Sequence, residues 1–83
     1  MSDHTATVAW TRGDLAFGYE TYSRDHVVRF GSGPTLEASA APAYKGSPTL
    51  ANPEEMLVAA LASCHMLTFL AIAARQKKVV EQY

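Results

Sequence analysis

One cysteine stands in the 83-residue chain, Cys64, inside the run NPEEMLVAALASCHMLTFLAIAAR from Asn52 to Arg75. A thiol becomes a nucleophile as its thiolate, so in an apolar setting it needs a cation close by. His65 is next in sequence, but on a helix it points about 100° away from Cys64. The better cation is Arg24, in the polar tetrad Tyr22, Ser23, Arg24, Asp25. Glu54 is a carboxylate near the start of the run. Each of these residues also has a plain structural explanation. Cys64 can be a small buried apolar residue, His65 can bond backbone or water, and Arg24 can be solvated. Glu54 can simply face the positive end of a helix dipole, and Asp25 can be a turn residue. No Ser-His-Asp order, glycine-rich phosphate loop or paired-carboxylate motif is present. His4, His26, Cys64 and His65 lack metal-ligand spacing.

The elements that must position these groups follow from patterning. Asn52 is a good N-cap, Pro53 suits the first helical turn, and Glu54 and Glu55 sit where the dipole favours carboxylates. Arg75, Lys77 and Lys78 place cations at the other end, so one helix runs from Asn52 to Arg75. From Met56 to Ala74 it is apolar on every side, which belongs either in a core or in a membrane. The length fits a bilayer span. Its alanine content and His65 would make insertion weak, and a membrane helix would leave the first fifty residues nothing to pack on. Upstream, Thr5 to Trp10 alternates as a strand, with Thr5, Thr7 and Ala9 on one face and Val8 and Trp10 on the other. Leu15 to Tyr22 is expected to return as a short aromatic strand after the Arg12-Gly13-Asp14 turn. Val27 to Phe30 is a third strand, Gly31 to Pro34 a tight turn and Leu36 to Ala40 a fourth strand. Pro42, Gly46 and Pro48 make Ala41 to Ala51 an exposed loop. The order is α+β: an antiparallel sheet wrapped on a long buried central helix. A small sheet covers one side of such a helix, so the other sides require more chain or a partner subunit.

Composition bounds the function classes. With 7 Lys and Arg against 8 Asp and Glu, the net charge is −1. That balance gives no basic patch for nucleic acid or an anionic membrane. A chain this short buries a thin core, which favours oligomerisation. One cysteine forms no internal disulfide. MSDHTATVAW lacks the basic start and long apolar region of a secretion signal, so the expected compartment is the cytoplasm. Residues 1–83 form a single, incomplete domain.

The stretch NPEEMLVAALASCHMLTFLA, with the upstream YSRDH and SAAPAYKGSP, resembles the OsmC/Ohr family of thiol peroxidases, most closely its OsmC-type branch. The resemblance is specific in the helix and looser in the strands, and the chain covers somewhat more than half of a family domain. It implies a reactive cysteine reducing organic hydroperoxides, assisted by an arginine from the N-terminal sheet and a glutamate of the NPE motif. By motif these fall on Cys64 and Glu54, and best on Arg24, with Arg29 the alternative by spacing alone. The second, resolving cysteine of family members has no counterpart here, so an external thiol or dithiol must serve as reductant. No cofactor and no metal are implied. Met56, Leu57, Leu61, Met66, Leu67 and Phe69 offer apolar walls for an organic substrate. The rival reading keeps the fold as a non-catalytic binding or scaffold module.

Helix geometry adds a constraint. Glu54 and Cys64 are ten residues apart, about 15 Å along a straight helix and about 280° around it. They cannot meet around one guanidinium in one chain. A homodimer in which each Glu54 serves its partner's Cys64 would satisfy both the site and the bare helix faces.

Overall fold

The computed structural model describes residues 3–83. Three strands form first: β1 (Ala6–Ala9), β2 (His26–Phe30) and β3 (Thr35–Ala38). They make an antiparallel meander in the order β1-β2-β3. Val8 lies opposite Val28, and Val28 opposite Leu36. Because partners across an antiparallel pair share a face, Val8, Val28 and Leu36 form one apolar side of the sheet. Arg29, opposite Thr7 and Thr35, belongs to the other side. The β2–β3 turn closes with Gly33 at φ 118, a backbone conformation that favours glycine.

The expected strand over Leu15 to Tyr22 is replaced by turns. Local bonds take over from a ladder there. The Thr21 hydroxyl donates to Ala16 O at 2.7 Å and accepts from Gly18 N–H at 3.0 Å, which fixes the backbone in a turn. The aromatic side chains pack on one another instead of along a sheet. Phe17 and Tyr22 have ring centroids 5.2 Å apart, and Trp10 lies 6.1 and 6.2 Å from them.

After β3 the chain passes through a 3-10 turn (Pro42–Tyr44), with Lys45 left-handed at φ 67. Gly46 then runs so close to the Ala40 carbonyl that a Cβ there would overlap it. Ala51 returns to bridge Ala38, with Ser39 N–H donating to Ala51 O at 2.8 Å. This bridge ties the start of the helix to the end of β3.

The helix α1 (Pro53–Arg75) begins as the residue types require. The Asn52 side chain accepts from Glu55 N–H at 2.9 Å, and Glu55 Oε1 accepts from Asn52 N–H at 3.2 Å, a complete capping box. It ends with Lys77 left-handed at φ 59, Lys77 N–H donating to Ala74 O and Lys78 N–H to Ala73 O. That bond pair is a Schellman stop, with lysine where glycine is usual.

The α+β architecture of an antiparallel sheet and one long helix stands as expected. The burial of the helix does not come from this chain's own sheet. Only Ala73 is buried, and Met56, Met66 and Leu70 are half-buried on the same side. The rest of α1 is exposed. The molecule measures 58 × 29 × 16 Å with a radius of gyration of 17.7 Å, against about 12 Å for a compact domain of this length. Three short strands cannot wrap a helix of 23 residues, which at 1.5 Å per residue is roughly 35 Å long.

Candidate functional site

Arg24 is held by its own neighbourhood. Its guanidinium donates to Tyr22 O at 2.6 Å and Tyr19 O at 2.7 Å. It also lies 3.6 Å from the Tyr22 ring centroid and 5.0 Å from that of Tyr19. Stacking on a tyrosine face while bonding two carbonyls fixes the planar group in one orientation. The backbone around it is fixed too. Trp10 Nε1–H donates to Ser23 O at 2.7 Å, and His26 Nδ1 bonds Arg24 O at 2.8 Å. Asp25 N–H donates to Ser23 Oγ at 3.1 Å.

Asp25 is bonded rather than merely turning the chain. Ser47 Oγ donates to its carboxylate at 2.6 Å, and Ser47 N–H donates in turn to Ser39 Oγ, which is fully buried. Hydrogen bonds from Ser47 and Ser39, with a smaller contribution from the charge of His26, hold the Asp25 carboxyl below its ordinary pKa. The network clamps the start of β2 onto the loop that leads into α1.

Arg24 also borders a cleft of about 500 Å³ with Val8, Trp10, Phe17, Tyr22 and Pro53. The cleft includes Val8 of β1 and Pro53, the first residue of α1, so Arg24 borders the same cleft as the helix start. Arg29, on the opposite sheet face, shares neither that cleft nor the helix. Glu54 occupies the exposed first turn of α1. Cys64 is an exposed free thiol ten residues further along, about 15 Å away by helical rise. Arg24 and Glu54 therefore lie at one end of the helix and Cys64 at its middle. Within one chain the three candidates do not form a cluster.

His65 bonds the Tyr83 hydroxyl, and the Tyr83 ring packs against both His65 and Phe69 with centroids 5.9 Å away. Among the apolar candidates, Leu57, Leu61 and Leu67 are exposed and Met56 is half-buried against the loop and β3. Patterning did not single out the Trp10, Phe17 and Tyr22 wall. Its only sequence signal was the density of aromatics between Trp10 and Tyr22. Among the described residues no group of His, Cys, Asp and Glu is arranged to hold a metal ion.

Residues 46–83 match the family model described as OsmC-like protein, and this span carries both Glu54 and Cys64. An OsmC-like protein of unknown function from Vibrio cholerae is similar in structure with a TM-score of 0.88 and 47% identity. The similarity covers 99% of this chain. The chain is OsmC-like over these spans, in sequence from residue 46 onward and in structure along its whole described length. It spans 56% of the length of the Vibrio protein, so this OsmC-like chain corresponds to little more than half of that neighbour. Comparison with curated proteins gave no match. Glu54 and Cys64 lie on a helix, and Arg24 just before β2, in a fold that resembles the Vibrio protein's.

Proposed function

We propose that this OsmC-like chain acts as a cysteine-based, thiol-dependent peroxidase that reduces organic hydroperoxides to alcohols in oxidative-stress defence. The observation that carries the reading is the exposed lone thiol of Cys64 on an OsmC-like helix that also bears Glu54. The thiolate sulfur attacks the outer peroxide oxygen and the O–O bond breaks. Sulfur becomes a sulfenic acid, and the alkoxide leaves as an alcohol after taking one proton. An external thiol then condenses with the sulfenic acid to a mixed disulfide and water, and a second thiol releases Cys64 as the thiol. The roles proposed for Arg24 and Glu54 are to favour the thiolate and to orient the guanidinium. The exposed apolar side chains of α1, with the aromatic cleft beside Arg24, support an organic substrate over hydrogen peroxide.

OsmC-like proteins are generally soluble. Although α1 is long and apolar enough to cross a membrane, its apolar surface is assigned here to protein contacts in a cytoplasmic homodimer. No nucleic acid enters the proposal.

An organic hydroperoxide such as cumene hydroperoxide should convert the protein to a species captured by a dimedone-type reagent at Cys64, with one equivalent of alcohol formed per chain. Without added thiol the reaction should stop there, because the chain holds a single cysteine. If Cys64→Ser consumes the peroxide as fast as wild type, the peroxidase reading fails and the scaffold reading replaces it.

A further inference from the structure

Arg24 carries an unanswered charge. A guanidinium has five N–H donors; here one goes to Tyr22 O and one to Tyr19 O, which leaves three. Both acceptors are neutral carbonyls. Among the described residues no carboxylate lies within ion-pair distance of Arg24, Glu54 included. The residue is half-buried, and a partly desolvated cation with donors to spare attracts an anion.

The neighbouring polar groups of the cleft are already engaged. Ser23 O accepts from Trp10 Nε1–H, and Ser23 Oγ accepts from Asp25 N–H. His26 Nδ1 bonds Arg24 O, and the buried Ser39 hydroxyl accepts from Ser47 N–H. That leaves Arg24 as the charged anchor for a ligand.

The rest of the cleft is apolar, with Trp10, Phe17 and Tyr22 as its aromatic wall. The three rings are mutually tilted, by 58°, 88° and 38°, so the wall presents ring faces and ring edges together. A planar ring inserted there sets its own face against an edge and its own edge against a face, contacts that a saturated group lacks. Phe17 is 69% exposed and Trp10 40%, a large apolar area left to water. Tyr22 joins the two halves of the site. Its ring centroid lies 3.6 Å from the Arg24 guanidinium and 5.2 Å from the Phe17 centroid, so one small molecule can reach both. A cleft of about 500 Å³ with apolar walls and one placed charge has the size and make-up of a small-molecule site.

We propose that this cleft binds an aromatic carboxylate, with the ring against Trp10, Phe17 and Tyr22 and the carboxylate on the free N–H groups of Arg24. The proposal goes beyond the peroxidase reading, since Cys64 takes no part in the binding.

Trp10 is the chain's only tryptophan, so its emission reports on the cleft without a label. With no peroxide present, phenylpropanoate should shift that emission saturably at millimolar concentration. Phenylpropanol lacks the charge and should bind at least about tenfold more weakly. Cyclohexylpropanoate lacks the planar ring and should bind about fivefold more weakly. Acetate at the same concentration should leave the emission unchanged. Arg24→Gln should weaken phenylpropanoate to the level of the alcohol, and Phe17→Leu should remove the preference for the planar ring while keeping that for the charge. Should Arg24→Gln not fold, the comparison of acid with alcohol on the wild-type chain decides the same point. Absence of a saturable shift with phenylpropanoate overturns the site. Equal affinity for the alcohol overturns the anion, and equal affinity for cyclohexylpropanoate overturns the aromatic guest. A response to acetate equal to that of phenylpropanoate reduces the site to a surface anion contact and overturns it as well. None of these outcomes changes if Cys64 proves unreactive towards peroxide.

Discussion

Equal amounts of two inactive variants, Glu54→Gln and Cys64→Ser, should regain about a quarter of wild-type peroxidase activity when their subunits are exchanged. Losing one charge-assisted hydrogen bond, at about 1.5–3 kcal/mol, should cost Glu54→Gln roughly 10–150-fold. Cys64→Ser should be dead. Random exchange makes about half the dimers mixed, and each two-fold dimer has two sites. In a mixed dimer one site combines intact Cys64 from the Glu54→Gln subunit with intact Glu54 from the Cys64→Ser subunit, and the second site carries both lesions. Half the dimers with half their sites gives the quarter. If Glu54 instead served its own chain's Cys64, both sites of the mixed dimer would be defective and recovery would be nil. The helix geometry makes the first outcome the expected one, since about 15 Å of helical rise separates the two residues in one chain. Arg24 supplies a control: with Arg24 and Glu54 taken from one protomer in the shared-site reading, Arg24→Gln should complement Cys64→Ser to the same extent and should not complement Glu54→Gln. The assay is initial-rate consumption of cumene hydroperoxide with excess dithiothreitol, with mixed dimers quantified by native mass spectrometry. A mixture as inactive as its parents, in the presence of measured mixed dimers, would refute the shared site.

Three further outcomes concern the scaffold. Asn52→Ala removes the side-chain half of the capping box and should cost about 1 kcal/mol, measured by urea unfolding. Gly46→Ala drives a methyl group into the Ala40 carbonyl and should cost at least about 2 kcal/mol in the same experiment. Asp25 has its folded pKa lowered by the hydroxyls of Ser47 and Ser39. Its contribution to stability is therefore present above its unfolded pKa, near pH 4, and is lost as pH falls through the lower folded value. Ser47→Ala should flatten the pH dependence of thermal stability in that acid range and leave its slope between pH 6 and 8 unchanged.

The residues alone determined the local structure around the thiol. Asn52, Pro53 and Glu55 dictate a capped helix start, because their donors, acceptors and fixed φ satisfy the first turn without help from elsewhere. The alternation of Val8 and Val28 dictates a sheet with one apolar face. The NPE motif and Cys64 in one helix were enough to indicate the family. Tertiary contacts decided the rest. Leu15 to Tyr22 reads as an aromatic strand, yet becomes a packed loop, since the rings gain more from Trp10 and from the Arg24 guanidinium than from a lone exposed ladder. That Arg24, just before β2, lines a cleft with Pro53 while Arg29 lies on the opposite side of the sheet from Val28 is invisible in spacing and follows from the strand register and the packing of Trp10 and Phe17. The sequence makes α1 apolar on every side, but how little of it this chain covers is a tertiary outcome: the Ala38–Ala51 bridge fixes only the helix start to the end of β3, and three short strands cannot wrap the remaining turns.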